Sequence, residues 1–308
     1  MTATAPPPGA SSSDDRGDSA IVGAPTGAQQ PGVIRFSADS RHLSLAGAVR
    51  ELIEFKGYIT YLTKRQLRTT YNRSFFGWVW SLVNPLATLA IFTLVFGYIL
   101  AIDRNIEPSP TGLKSFAHFL YSALVFWQLF NITSMGTMQD FHNSVLLRKR
   151  LYFPPAAPAI AHALAKSTES LLEVFILIAV YAFVGNLGIM VIWLPFLMVF
   201  SALIGTGVGM LLAVPNARYR DVGYLYMLFL RLFFYLTPII YPLSYVPEEW
   251  RALYLLNPMA GTVEVWRDVV LRGVVPAADV LLITIASSLV LLAIGLWIFH
   301  RGEPTFED

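Results

Sequence analysis

No charged side chain occurs between Val174 and Ala217, and the stretch is interrupted only by Gly185-Asn186-Leu187-Gly188. Two glycines around an asparagine have turn chemistry. At about 20 apolar residues per crossing, the stretch is long enough to pass a bilayer twice. A tight hairpin of two membrane helices is therefore predicted. With 55% apolar and 14% charged residues, the rest of the chain follows the same class. A net charge of +2 is too small to argue for nucleic acid, and the absence of cysteine excludes disulfides and thiolate chemistry.

Six segments qualify as spans: 78–102, 116–138, 159–184, 189–214, 222–241 and 280–300. The expected fold is an all-α integral membrane protein. Arg50, Lys56, Lys64, Arg65, Arg68, Arg73, Arg148, Lys149, Arg150, Lys166, Arg218, Arg220 and Arg301 fall on one side of these spans. On the other side Arg104, Lys114, Arg251, Arg267 and Arg272 are diluted by acidic residues. The basic bias of the first set places both termini in the cytoplasm, in a multi-pass plasma (inner) membrane protein. Trp78, Trp80, Trp193 and Trp297 lie near span ends, where indole suits the headgroup layer.

Outside the spans, residues 1–44 are rich in Pro, Ala, Gly, Ser and Asp and read as a disordered cytoplasmic tail. Within 45–77, Leu52, Phe55, Ile59 and Leu62 recur at helical spacing among cations. This predicts an amphipathic interface helix, lying on the inner leaflet or packed on a soluble partner. The six-span domain occupies 78–301, with a cytoplasmic C-terminal tail at 302–308. After the second span, a short basic surface helix is expected before Pro154-Pro155. It and the turn Arg218-Tyr219-Arg220-Asp221 are either ordinary positive-inside charge or a docking contact for a partner. Between the fifth and sixth spans, Pro247 opens one short helix over 248–256. Asn257-Pro258 caps another, ended near Gly273. Two short external re-entrant helices or a plain external loop fit this segment.

Arg231 interrupts the apolar fifth span, and intramembrane cations usually face a bundle interior or a wet cavity. Counting depth pairs it with Glu169 or Glu173 of the third span, four residues apart on one helical face. The pair either holds helices together or leaves Arg231 to meet an anionic headgroup. Tyr224, Arg231, Tyr235 and Pro238 share a stripe flanked by Phe229, Phe233 and Phe234. With Trp80, Phe92, Phe96 and Tyr98 of the first span, these aromatics either pack helices or line a path. No phosphate-binding glycine loop occurs; Gly205-Thr206-Gly207-Val208-Gly209 lies inside a span, where glycines let helices approach. His42, His118, His142, His162 and His300 show no metal-ligand spacing. No catalytic residue, metal or cofactor is expected in this chain.

Four strings in order resemble the permease subunits of type-2 ABC exporters for cell-surface polysaccharides: O-antigen, teichoic acid and galactan precursors. They are TTYNRSFFGWVWSLVNPL, VLLRKRLYFPPAAPAIAHAL, NARYRDVGYLYMLFLRLFFYLTPIIYP, and NPM with VEVWRDVVLRG. The resemblance covers residue 45 to the C-terminus. It implies a homodimer, each chain with six spans, docked on a separate ABC ATPase subunit that carries ATP and Mg. It assigns docking to Arg148, Lys149, Arg150 and Leu151 and to Arg218, Tyr219, Arg220 and Asp221. The helices bearing Trp250, Asn257, Trp266 and Arg267 become gates over an aromatic path. A polyprenyl-pyrophosphate-linked glycan passes through it, and the Ala/Pro/Gly-rich tail leans toward galactan. The alternatives are a type-2 ABC permease for a drug or small lipid, and a membrane glycosyltransferase acting on polyprenyl phosphate. The second needs paired acidic residues at a membrane surface, and Asp103, Glu248 and Glu249 are not so arranged.

Overall fold

Each of the six apolar segments is helical over most of its described residues. The computed structural model describes residues 45–70, 79–101, 115–148, 152–183 and 189–302. Among them the helices are α1 (Leu45–Glu54), α2 (Lys56–Thr70), α3 (Trp80–Phe92), α4 (Phe116–Arg148), α5 (Ala157–Phe183), α6 (Leu194–Arg218), α7 (Asp221–Leu236), α8 (Glu248–Leu255), α9 (Pro258–Arg267) and α10 (Ala278–Gly302). Helix α3 runs on as a π-helix, Thr93–Ile99, and a 3₁₀ turn, Ile189–Trp193, leads into α6. The tail 1–44, the glycine turn at 185–188, and Lys149, Arg150 and Leu151 lie outside the described residues.

Among the described residues, three helical stretches are long and apolar enough to cross a membrane: Leu82–Ile99, Val191–Arg218 and Ala278–Phe299. The remaining segments depart from that standard for physical reasons. Helix α5 carries Lys166, Glu169 and Glu173 in its middle, two of them buried by neighbouring helices. Helix α7 has 16 residues, roughly 24 Å at 1.5 Å per residue against a hydrocarbon core of about 30 Å. It stops early because Pro238 disfavours α geometry in the preceding residue; Thr237 is extended at φ −88, ψ 136. Helix α4 is 33 residues long, about 50 Å, and so outruns the bilayer. The surface helix expected after the second span is thus the continuation of α4 to Arg148, not a separate element.

Helix α6 is the centre of the bundle, between α4 and α10, and its glycines set both approaches. Gly205 and Gly209, one turn apart, abut Thr133, Ser134 and Thr137 of α4. Gly207, on the other side, meets α10: a Cβ there would lie 2.6 Å from the backbone carbon of Leu291. The packing role read for these glycines is what the structure contains.

The expected single interface helix is broken at Phe55 into α1 and α2. Part of its apolar face packs on the bundle, while Val49, Ile53 and Tyr61 stay exposed. Leu52 and Ile59 are buried in a cluster with Ala157, Ala161, Met210, Ala213, Leu296 and Phe299 of α5, α6 and α10. The Tyr152 hydroxyl donates to Glu51 Oε1 at 2.6 Å, and Tyr58 packs on Phe153 with ring centroids 5.2 Å apart. The segment before α5 thereby fastens α1 and α2 to the bundle.

Candidate transport path and docking face

Helix α7 turns one side to the bundle and leaves the other uncovered. Tyr226 and Leu230 are buried, Phe233 and Phe234 half-buried, while Tyr224, Leu228, Phe229, Arg231 and Tyr235 are exposed. Pro238 is buried beyond the helix end, so the exposed stripe is Tyr224, Leu228, Arg231 and Tyr235. Beside it runs a seam of rings. Phe92 contacts Phe96 at 5.5 Å and Phe234 at 5.9 Å. Trp127 of α4 touches Phe234 at 5.6 Å and Phe233 at 6.0 Å, and Phe233 stacks on Phe229 at 4.9 Å. The structure therefore brings together Phe92, Phe96, Phe229, Phe233, Phe234 and Tyr235, which lies against Phe234 at 5.3 Å. Trp80 lies at the opposite end of α3, exposed. Trp127, at the middle of the seam, went unnoticed in the sequence; its signal was the run Phe126-Trp127-Gln128-Leu129-Phe130 in the second span.

The expected pairing of Arg231 with Glu169 or Glu173 is not formed. Glu169 instead takes Lys166 of its own helix, with Nζ 2.9 Å from Oε2 and 3.1 Å from Oε1. Glu173 is buried, and its Oε2 has no hydrogen-bond partner. Among the described residues no ion pair joins Arg231 to either carboxylate. Helix α7 packs through Tyr226, Leu230 and the half-buried phenylalanines, and Arg231 lies on its exposed side.

The buried cation is Arg267. Helix α9 starts as its sequence requires: the Asn257 side chain accepts from the Met259 N–H at 2.9 Å, and Pro258 takes the first helical position. Asn257 Nδ2 also donates to Thr237 Oγ1 at 3.0 Å, tying α9 to the end of α7. Trp266 and Arg267 are both 0% exposed and lie in the interior, where they hold α9 to its neighbours. Trp266 stacks on Phe126 of α4. Arg267 Nη1 lies 3.0 Å from Glu264 Oε1, Nη2 donates to the Ile239 carbonyl at 2.7 Å, and Cζ stands 3.7 Å over the Phe119 ring. The chain break at Pro238 leaves nearby carbonyls without helical donors, and the planar guanidinium supplies them. Burial lowers the Arg267 pKa to about 10, opposed by Glu264, so it stays cationic at neutral pH. Arg272 completes the cluster, 2.6 Å from Asp268 Oδ1 and 3.4 Å from Glu264 Oε2. Gly273, at φ 64, ends it where the sequence placed the stop. Trp250 on α8 is exposed.

At the other end, α6 and α7 are separated by Tyr219 and Arg220 alone, and Arg218, Tyr219, Arg220 and Asp221 are all exposed. The Arg218 guanidinium lies 5.7 Å from the Tyr219 ring centroid. Asp221 opens α7, where a carboxylate suits the helix dipole.

Apolar helices of bilayer length, packed through glycines around a central helix, define a multi-pass membrane protein. The chain belongs to the ABC-2 type transporter family, which matches residues 58–271, from within α2 to just beyond α9. It is 24% identical over 253 residues to the O-antigen export system permease protein RfbA of Klebsiella pneumoniae, covering 81% of this chain and 93% of that one. It is 24% identical over 263 residues to RfbA of Myxococcus xanthus, covering 84% and 98%. The polysialic acid transport protein KpsM of Escherichia coli is 25% identical over 241 residues, covering 78% and 91%. The resemblance read from the four strings to permeases of polysaccharide export is thus confirmed.

Proposed function

We propose that this chain is the membrane-spanning permease of an ATP-driven exporter. It moves a polyprenyl-pyrophosphate-linked polysaccharide, a galactan in the reading the tail composition favours, out of the cytoplasm. The observation that carries the proposal is the uncovered stripe of α7, Tyr224, Arg231 and Tyr235, beside an aromatic seam shared with α3 and α4. Rings present faces to sugar C–H surfaces, and a cation suits a pyrophosphate. A single chain leaves this stripe open; in a homodimer two copies enclose it. The arrangement comprises six spans, both termini in the cytoplasm of a plasma-membrane protein, and α8 and α9 at the outer face.

The relatives named for O-antigen export and polysialic acid transport support a polysaccharide cargo. Hydrolysis of ATP with Mg belongs to a separate ABC ATPase subunit. It docks on Arg148, Lys149, Arg150, Leu151 and the exposed Arg218–Asp221 turn. The test is purification of the tagged full-length chain from native membranes in mild detergent. An ABC ATPase subunit at equal stoichiometry, in a particle containing two copies of each, is expected. A lone chain that elongates polyprenyl-linked sugar would replace this reading with the glycosyltransferase.

A further inference from the structure

One imidazole sits where α2, α4 and α5 converge. The His162 side chain, on α5, is 8% exposed, and its Nδ1 lies 3.0 Å from Asp140 Oδ2 of α4. The same nitrogen lies 2.7 Å from Gln66 Nε2 of α2, and Nε2 lies 3.4 Å from the Ile132 carbonyl of α4. Ile132, Gly136 and Asp140 are spaced one turn apart and share a face of α4. Gly136 makes the seat, because a Cβ there would collide with the ring.

With a neutral ring, the hydrogen-bond inventory of this joint does not close in one arrangement. A ring nitrogen carries either a proton or a lone pair. With the proton on Nδ1, the ring donates to Asp140, and Gln66 must turn its carbonyl oxygen inward. With the proton on Nε2, the ring donates to the Ile132 carbonyl and accepts from the Gln66 amide, and Asp140 is released to water. A rotation of the Gln66 amide and a change of tautomer interconvert the two, with no net change of charge. Helix α2 is held in both states, and the α4 carboxylate in one. A two-state element of this kind is what passes movement of one helix to another.

We infer that His162 is the positioning residue that carries movement of α2 into α4 and α5, by keeping Gln66 on its Nδ1 while it takes or releases Asp140 there. The inference rests on the reading of this chain as a permease driven by a separate ATPase. Lys166, one turn further along α5, is engaged by Glu169, so the charged group acting on the ring is Asp140.

The test uses cells depleted of the native chain and complemented with wild type, Gln66→Leu, Asp140→Asn, His162→Gln or His162→Leu. Three quantities are read: the membrane level of the chain, ATP hydrolysis by the purified permease–ATPase complex, and polyprenyl-linked glycan retained inside. Gln66→Leu and Asp140→Asn are expected to reach wild-type level and to hydrolyse ATP, with export reduced about tenfold. His162→Gln, which keeps a donor and an acceptor, recovers part of the export that His162→Leu loses. Export that falls only in step with membrane level makes the joint a packing contact and overturns the inference, as does unchanged export in every variant. Loss of hydrolysis together with export also overturns it. If wild type itself leaves the internal glycan unchanged, the export reading fails, which is a separate result.

Discussion

Arg267 stands over the ring of Phe119, its guanidinium carbon 3.7 Å from the centroid, with Glu264 and the Ile239 carbonyl taking its in-plane N–H groups. Helix α9 is thus locked to α4 and to the chain that follows α7. Arg267→Met leaves the Ile239 and Tyr241 carbonyls without this donor, and Glu264 with Arg272 alone. The expected loss is about 3–5 kcal/mol, the usual cost of removing one partner from a buried pair. Arg267→Lys should not recover it, since an ammonium cannot present a planar fork to several acceptors and a ring face. Thermal unfolding in detergent measures both, and a Lys variant as stable as wild type would contradict the geometry.

Gly207 of α6 and Gly295 of α10 meet backbone to backbone; a Cβ on Gly295 would lie 2.5 Å from the Gly207 carbonyl oxygen. Gly207→Val or Gly295→Val should destabilise the fold by about 1–3 kcal/mol or more, because backbone atoms cannot move aside as a side chain would. Gly57 is the control, with open space around its Cβ position. Gly57→Ala should leave stability unchanged or raise it by up to about 1 kcal/mol. Unfolding temperatures of the purified variants decide between these signs.

Asn257 caps α9 and donates to Thr237, so it holds two elements at once. Asn257→Ala is expected to cost about 1–2 kcal/mol. Asn257→Asp keeps the cap acceptor but not the donor toward Thr237 and should fall between. Hydrogen exchange at the Met259 amide reports the cap directly; protection unchanged in the alanine variant would refute its role.

The absence of cysteine makes the exposed α7 stripe addressable one position at a time. If this face lines a wet path, Tyr224→Cys, Arg231→Cys and Tyr235→Cys react with a water-soluble maleimide in intact membranes, because thiolates form only where water reaches. Uniform lack of reaction would make the stripe a lipid-facing surface.

The helices were legible because each apolar run is long, and so were two stops and starts: the Asn257-Pro258 cap and the left-handed Gly273. The Arg231 pairing was misjudged because residue counting fixes depth along a helix and says nothing of azimuth. Lys166, three residues from Glu169 on the same helix, pairs with that carboxylate. Arg267 was placed with Trp266 on the external gate helices by resemblance alone, with no partner named for it. Its true partners include the Ile239 carbonyl, 28 positions earlier, freed by a proline whose consequence is three-dimensional. His162 drew no attention as a joint because Gln66 lies 96 positions away, and no spacing rule connects them. The interface helix was recognised by its period, but the surface it covers belongs to the bundle itself, and period alone cannot name the partner of an apolar face.

The most direct measurement of the export account is to deplete the chain in its native host and to extract and size polyprenyl-linked glycans on the inner side of the membrane. Accumulation of a long lipid-linked polymer, reversed by restoring the chain, is the predicted result and identifies the cargo by its sugar composition. An unchanged pool in cells that become sensitive to amphiphilic drugs would contradict polysaccharide export and make the chain a permease for small amphiphiles.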